Sequence, residues 1–325
     1  MTARPLPILL NPAAGAGRAG RERERLEAEL NRQSVSYVLT VTESEAHLRS
    51  RVRESAAAGG PLAVAGGDST FFIAVNEILS AGLRPGLGLI GLGSSNDIPR
   101  ALGTETLERA CAALKSGAPR PVDAGAVSAP DAPTRFFLGQ ANIGLGAAVN
   151  AYVAGLAARG RRLARRQTLA GFLGIVRAYR SGRVPLTLTI EGGAAPGRGA
   201  YVSVVFANTP FWATGRLIAP QARPDDSLLD ACLIRECSIR RLARIDALAR
   251  RGAHVRRPEV SLHRAAEFRI ASDAAFSIQA DGEILADAGR PILYHAAVIG
   301  VLPAALTLLL PTQAPPPLTG PSSRR

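Results

Sequence analysis

Residues 62–70 read Leu-Ala-Val-Ala-Gly-Gly-Asp-Ser-Thr, a short apolar run that ends in two glycines and a carboxylate. The run Leu62–Ala65 is typical of a buried strand, and an apolar helix pattern extends from Thr70 to Leu79. Paired glycines between a strand and a helix let the backbone approach a phosphate closely, because neither carries a Cβ. On the alternative interpretation, Asp68 or Ser69 only caps the helix.

The same strand–turn–helix pattern surrounds this unit on both sides. Leu6–Leu10, Val35–Val41 and Leu87–Ile90 also read as strands, each followed by a turn and a helix pattern. Strands that alternate with helices predict a doubly wound parallel α/β sheet, whose ligands bind beyond the carboxyl ends of the strands.

Two further glycine-rich turns follow the first and fourth strands. Residues 15–20 match Gly-x-Gly-x-x-Gly, which is compatible with a dinucleotide site of an oxidoreductase, a plain tight turn, or a phosphate loop that also uses Asn11-Pro12. The other, residues 93–97, reads Gly-Ser-Ser-Asn-Asp, where Ser95 or Asp97 could be an ordinary helix cap. Together, the three turns predict a rim of amides, hydroxyls and carboxylates suited to a polyphosphate and Mg²⁺.

The pattern changes near Val122, where short strand-like runs separated by Gly, Pro, Asn and Asp predict an antiparallel β-sandwich domain. We therefore expect an α/β domain over 1–121, a β-rich domain over 122–295, a segment 296–310 that returns to the first domain, and a disordered tail over 311–325. Asp281-Gly282 is a hairpin signal that accounts for those two residues but not for Glu283.

Charge and composition exclude several classes of protein. The 325 residues carry Lys+Arg 39 against Asp+Glu 26, a net charge of +13 that favours an acidic partner. Lys115 is the single lysine, so the chain has neither a Walker A loop nor the strand lysine of protein kinases. Three cysteines without Cys-x-x-Cys spacing and no signal-peptide pattern predict a soluble protein of the cytoplasm.

A cluster of arginines, Arg159–Arg166, has five arginines in eight positions. It is either a contact with an anionic membrane or a solvated face. Aromatic residues make up 5% of the chain and none lies among these arginines, so we do not expect nucleic acid binding.

Taken in order, the motifs resemble the diacylglycerol kinase catalytic domain family, and most closely its soluble bacterial lipid kinases. The resemblance covers residues 6 to about 311. The motifs that carry it are Asn11-Pro12-x-x-Gly15, Gly66-Gly67-Asp68-x-Thr70, Gly93-Ser94-x-Asn96-Asp97, Asn142-Ile143-Gly144-x-Gly146, Asn208-Thr209-Pro210, Ala219-Pro220, Asp226-Ser227-Leu228-Leu229-Asp230 and Asp281-Gly282-Glu283.

This resemblance implies an ATP-dependent kinase of phospholipid metabolism that phosphorylates a diacylglycerol-like alcohol at the inner face of the membrane, and it leaves a homodimer open. It implies Glu283 as the base, with Asp68 and Asp97 as site carboxylates. A structural Mg²⁺ would be held by Asp226 and the carbonyls of Arg223 and Leu228. The implied nucleotide-binding residues are Asn11, Thr42, Gly66, Gly67, Asp68, Ser69, Thr70, Ser94 and Asn96.

Ser69 departs from the family pattern, which has glycine at this position. If the position required a positive φ, serine would be strained by ~1–2 kcal/mol, and we would expect weak ATP binding. A kinase of a sphingoid base, another lipid alcohol or NAD, and a nucleotide-binding regulator without activity, are the alternatives that the sequence leaves open.

Overall fold

The computed structural model of the protein describes residues 4–158, 167–195 and 197–312. The arginine cluster Arg159–Arg166 and residues 313–325 of the predicted tail lie outside the described residues. Within the described residues, no helix is both long and apolar enough to cross a membrane.

The first part of the chain builds a parallel sheet with helices on both faces. Its strands lie side by side in the order β2-β1-β3-β4. They are β1 (Leu6–Leu10), β2 (Tyr37–Val41), β3 (Leu62–Gly66) and β4 (Gly86–Gly91). The helices are α1 (Ala14–Arg21), α2 (Arg23–Arg32), α3 (Glu45–Ala57), α4 (Asp68–Ser80), α5 (Asp97–Leu102) and α6 (Leu107–Ser116).

Both faces of this sheet are covered, because successive residues of a strand point to opposite sides. Leu9 and Val64 belong to one apolar cluster and Ile8 and Ala63 to another. Because β1, β3 and β4 run parallel, their carboxyl ends share one edge of the sheet. All three glycine-rich turns leave from this edge.

The second part is antiparallel. Its strands are β5 (Ala118–Ala129), β6 (Ala132–Phe137), β7 (Gln140–Gly144), β8 (Leu186–Glu191), β9 (Gly197–Ala207), β10 (Phe211–Trp212), β11 (Arg216–Leu217), β12 (Leu229–Arg235), β13 (Val260–Ala265), β14 (Glu267–Phe276), β15 (Ile278–Ala280), β16 (Glu283–Ile284), β17 (Ala286–Asp287), β18 (Arg290–Pro291) and β19 (Tyr294–Leu310). Its helices are α7 (Leu145–Ala158), α8 (Gln167–Arg180) and α9 (Ile239–Ala249).

The long strand β19 joins the two parts. It pairs antiparallel with β14 and β5, and its end, at Thr307 and Leu308, runs parallel to β4. The predicted fold class, a parallel α/β part followed by an antiparallel β part, is confirmed. The predicted boundary after residue 121 falls inside β5, which crosses from one part to the other beside β19.

One predicted strand is divided in two. The sequence predicts a single run from Phe136 to Ile143, but β6 ends at Phe137 and β7 begins at Gln140. The backbone amides of Leu138, Gly139 and Gln140 instead donate hydrogen bonds to the side chain of Asp281. The side chain of Asp281, at least 141 positions further along the chain, thus determines where β6 ends and β7 begins.

Candidate active site

The three glycine-rich turns lie against one another at the edge of the parallel sheet. A Cβ on Gly67 would lie 3.1 Å from the Cα of Gly93, and a Cβ on Gly15 would lie 3.0 Å from the carbonyl oxygen of Leu92. These approaches leave no room for larger side chains, so glycine is required by contact between turns. The prediction that the turns form one rim agrees with this geometry.

The first turn is left-handed over three consecutive residues, with φ values of 61° at Gly15, 56° at Ala16 and 83° at Gly17. The guanidinium of Arg18 then donates to the carbonyl of Gly93, so the first and third turns are also joined by a side chain.

Asn11 and Thr70 brace the first and second turns. The Asn11 side-chain amide donates to Thr70 Oγ1 at 3.0 Å, and its oxygen accepts from the N–H of Ala13 at 3.1 Å. Thr70 Oγ1 also accepts from the N–H of Gly67 at 3.3 Å. Thr42, which follows β2, is buried and donates its hydroxyl to the carbonyl of Leu10 at 3.1 Å.

The third turn is held by Asn96, which has φ 52° and is the N-cap residue of α5. Its side-chain oxygen accepts from the N–H of Gly93 at 2.8 Å, and its amide donates to the carbonyl of Gly91 at 3.3 Å. Ser94 is exposed at the rim. The interpretation of Ser95 or Asp97 as an ordinary cap is wrong, because the N-cap position is Asn96 and the side chain that accepts from the first N–H groups of α5 belongs to another helix.

That side chain belongs to Asp68. Its two oxygens accept from the N–H groups of Asp97 and Ile98, each at 3.3 Å. Burial, followed by the charge of Asp97, raises the pKa of Asp68 to about 6. An anion at a helix N-terminus is favourable, but burial beside a second carboxylate opposes ionisation.

Asp97 holds the two parts of the molecule together. Its oxygens accept from the N–H groups of Thr214 at 2.9 Å and Gly215 at 2.8 Å, and Arg100 donates to it at 3.3 Å. Burial raises the pKa of this carboxyl as well. Because both oxygens are already bonded to amides, Asp97 acts here as a positioning residue.

The antiparallel part contributes the turn between β15 and β16. Asp281 and Gly282 have φ values of 45° and 94°, the conformation of a type I′ hairpin turn, so the hairpin predicted from Asp-Gly is observed. The Asp281 side chain is nonetheless buried and accepts three amide hydrogen bonds, at 2.7, 2.9 and 2.9 Å. Burial raises its pKa to about 7.

Glu283 follows this turn and is half-buried. The turn touches the second glycine-rich turn, because a Cβ on Gly282 would lie 3.2 Å from Ser69 Oγ. The structure therefore brings the residues around Asp68 and Glu283, which are more than 200 positions apart, to one place.

Ser69 does not have the backbone conformation that would strain it. It is the second residue of α4, and it is absent from the residues with positive φ. The condition for strain at serine, a positive φ, is therefore not met, and a helical φ suits serine as well as glycine.

In the loop 223–230, for which the resemblance implies a metal ion, the charged side chains bind one another instead. The Asp226 side chain forms an ion pair with Arg264 and accepts from the N–H of Leu228 at 3.2 Å. Arg223, whose carbonyl was implied as a ligand, uses its side chain to bind Asp225 at 3.2 Å. Over residues 4–158, 167–195 and 197–312, no group of three or more His, Cys, Asp or Glu side chains is placed to hold a metal.

Sequence reasoning assigned no role to Asp123 or Arg264. Asp123 is buried and accepts from the N–H groups of Ser227 at 2.7 Å and Ala304 at 2.8 Å. A buried carboxylate directly after Val122 in an apolar strand was the available signal.

Comparisons with known proteins agree with the fold described above. Residues 5–127 match the model of the diacylglycerol kinase catalytic domain, and residues 139–310 match that of the YegS C-terminal NAD kinase beta sandwich-like domain. A Pseudomonas aeruginosa protein named "Probable lipid kinase YegS-like" is 30% identical over 227 residues, which cover 66% of this chain and 68% of the relative. A Mycobacterium tuberculosis "Diacylglycerol kinase" is 28% identical over 311 residues, with 93% and 94% covered.

The fold is also that of a solved structure titled as a putative diacylglycerol kinase from Bacillus anthracis. The superposition has a TM-score of 0.72 at 17% identity and covers 96% of this chain and 99% of the other.

Proposed function

The chain belongs to the diacylglycerol kinase catalytic domain family and is a kinase, and from that premise we propose that it transfers the γ-phosphate of ATP to the hydroxyl of a diacylglycerol-like lipid. The observation that carries the proposal is the close approach of the Gly282 turn to Ser69, whose Oγ would lie 3.2 Å from a Cβ at position 282. This approach places the second glycine-rich turn, which would bind phosphate, beside the turn that bears the carboxylate of Glu283.

The glycine-rich turns would hold the triphosphate of ATP. Helix α4 begins at the rim, and the N–H groups of its first two residues, Asp68 and Ser69, have no carbonyl acceptor within the helix, as at every helix N-terminus. The glycines at 67 and 93 let the second and third turns pack backbone against backbone, so that one phosphate chain could reach the amides of both turns.

A Mg²⁺ ion carried by ATP fits this rim at Asp68. The Asp68 side chain is half-buried and is close enough to Asp97 for the charge of Asp97 to raise its pKa. Within the part of the chain that the structure describes, its carboxylate accepts two long hydrogen bonds of 3.3 Å and no shorter one. A cation would relieve that excess of negative charge. When bound, it neutralises the charge on the phosphates.

Glu283 would accept the proton of the lipid hydroxyl as that oxygen attacks the γ-phosphorus. The bond from the hydroxyl oxygen to phosphorus forms while the bond to the β-phosphate oxygen breaks, and ADP leaves with the electron pair. Catalysis of phosphoryl transfer depends mostly on positioning and charge neutralisation. Asp97 and Asp281 would contribute by fixing the third glycine-rich turn and the turn that bears Glu283.

The surface beside this turn favours a lipid acceptor. The side chain of Asn150 on α7 donates to the carbonyl of Gly282 at 3.0 Å, so α7 and α8, which pack together, lie next to the acceptor side of the site. On α8, Leu169 is 42% exposed and Phe172 55% exposed, with Arg177 and Arg180 on the same helix. Exposed apolar side chains followed by arginines are suited to an anionic membrane surface.

The experiment is a kinase assay with labelled ATP and mixed micelles that contain single lipid alcohols, performed on wild type, Glu283→Gln and Glu267→Gln. We expect phosphorylation of a diacylglycerol, a fall in kcat of ~10²–10⁴ for Glu283→Gln, and no change for the exposed control. Nucleotide binding by calorimetry should survive in both variants.

Preference for a sphingoid base would correct the acceptor. Equal turnover by Glu283→Gln would remove this residue from the mechanism. ATP binding without any phosphorylated product would support a regulator.

A further inference from the structure

Arg264 lies where the family resemblance predicts a metal ion. It stands on β13 directly opposite Asp230 on β12, so the antiparallel ladder fixes the two side chains as a cross-strand pair. Arg264 Nε binds Asp230 Oδ2 at 3.3 Å, while its terminal amino group binds Asp226. One guanidinium thus bridges the two carboxylates of the loop.

The two carboxylates are more buried than the guanidinium that bridges them. The Asp230 side chain is 3% exposed and that of Asp226 22%, whereas Arg264 is 40% exposed. Two carboxylates in this setting require a cation close by. A guanidinium offers planar N–H donors on two edges, which suits binding of two carboxylates at once.

A metal does not fit the same loop as this structure arranges it. Mg²⁺ requires an octahedral set of oxygens and gives up its waters reluctantly. Both Asp226 oxygens are already engaged, one by Arg264 and the other by the N–H of Leu228. The arginine is attached to the chain, so its occupancy does not depend on the concentration of a free ion.

We propose that Arg264 takes the place of a divalent cation in the loop 223–230, so that the loop is ordered by the chain's own guanidinium and binds no metal there. This inference does not depend on the substrate of the enzyme. It concerns a structural cation, separate from any Mg²⁺ that enters with ATP.

The loop matters because it is linked to the active site by hydrogen bonds. Asp123 accepts from the N–H of Ser227 at 2.7 Å and donates its own N–H to the carbonyl of Pro224 at 2.7 Å. The side-chain amide of Asn208 donates to the carbonyls of both Asp123 and Leu138, each at 2.9 Å. Leu138 is in turn a donor to Asp281.

Thermal unfolding of the full chain without nucleotide tests the proposal. Wild type, Arg264→Gln and the control Arg269→Gln are each melted in EDTA and in excess MgCl₂. Arg269 is matched because it also makes an ion pair, with Glu267, and both residues lie on β14, the next strand along the chain. We expect the wild-type Tm to agree within ~1 °C between the two conditions, and Arg264→Gln to melt at least ~4 °C below Arg269→Gln.

Mn²⁺ binding, followed by electron paramagnetic resonance on the wild type and on Asp226→Asn, keeps the proposal testable if Arg264→Gln does not fold. We expect wild type and Asp226→Asn to bind the same amount of Mn²⁺, because the loop holds none of it. Mn²⁺ held by wild type and lost in Asp226→Asn would overturn the proposal. An Arg264→Gln variant as stable as Arg269→Gln would overturn it too.

Discussion

The carboxylate of Asp68, the first residue of α4, accepts a hydrogen bond at 3.3 Å from the backbone N–H of Asp97, the first residue of α5. One acidic residue thus supplies the N-terminal cap of the helix that begins with the other. Since Asp97 then binds the Thr214–Gly215 turn, the pair connects the phosphate-binding rim to the antiparallel part.

This relationship predicts how stability depends on pH. The pKa of Asp68 is raised from 3.8 to about 6, so the folded protein keeps a proton that the unfolded chain has already lost between these values. Below this pH window the Asp68 carboxyl is protonated in both the folded and the unfolded protein, and above it the carboxyl is ionised in both. The free energy of unfolding of wild type, relative to Asp68→Asn, should therefore fall by at most ~3 kcal/mol as pH rises through the window, then level off.

Urea unfolding of both proteins at a series of pH values measures this difference, with Asp225→Asn as the exposed control. A difference that rises with pH would mean that the cap on α5, rather than burial, dominates at Asp68.

The sequence predicts the rim well because its elements are local. Each strand has an apolar run, each turn has its glycines, and parallel strands bring their carboxyl ends to the same edge. From these rules alone, the residues around Gly15, Gly67 and Gly93 belong together, and the structure places them in contact.

The remaining contacts could not be predicted, because they join residues far apart in the chain. The Asp-Gly pair at 281–282 has a complete local explanation as a hairpin, which hides the amide hydrogen bonds to 138–140. Likewise, the partner of Asp226 follows from the register of β12 and β13, and nothing in the loop itself names Arg264.

Ser69 provides a second prediction, because its helical backbone removes the reason for weak ATP binding. Ser69→Gly should leave KM for ATP within about twofold of wild type and lower the free energy of unfolding by no more than ~1 kcal/mol, the usual cost of glycine in a helix. Ser69→Ala separates the hydroxyl from the backbone. A KM several-fold lower in Ser69→Gly but not in Ser69→Ala would restore the strain argument.

The third prediction concerns the exposed residues of α8. Replacing both Leu169 and Phe172 by Ser removes apolar surface that would enter the membrane interface, so affinity for anionic vesicles should fall by about tenfold or more. Val38→Ser is the matched control, since Val38 is 56% exposed on β2, a strand at the edge of the parallel sheet.

Vesicle co-sedimentation at low and high salt measures this affinity, and activity on detergent-solubilised lipid should be retained. Equal loss of vesicle binding in the control variant, or none in the α8 variant, would show that this surface has no part in membrane contact.

The last prediction addresses Asp281, whose side chain holds the corner between β6 and β7. Its Oδ1 accepts from the N–H groups of Gly139 and Gln140, and its Oδ2 from that of Leu138. Asparagine can keep one oxygen in place, but its NH₂ group must then face a backbone donor. Asp281→Asn should therefore lower the free energy of unfolding by ~1–3 kcal/mol, the cost of leaving a buried polar group without its partner.

The same substitution should lower kcat more than it raises KM for ATP, because the corner fixes the Glu283 turn while the glycine-rich turns stay intact. Asp273→Asn is the control, as its side chain is 84% exposed and bound only to Arg198 among the described residues. Urea unfolding and steady-state kinetics on the two variants separate the outcomes. If Asp281→Asn matched the control in both, the three amide hydrogen bonds would contribute neither to stability nor to the position of Glu283.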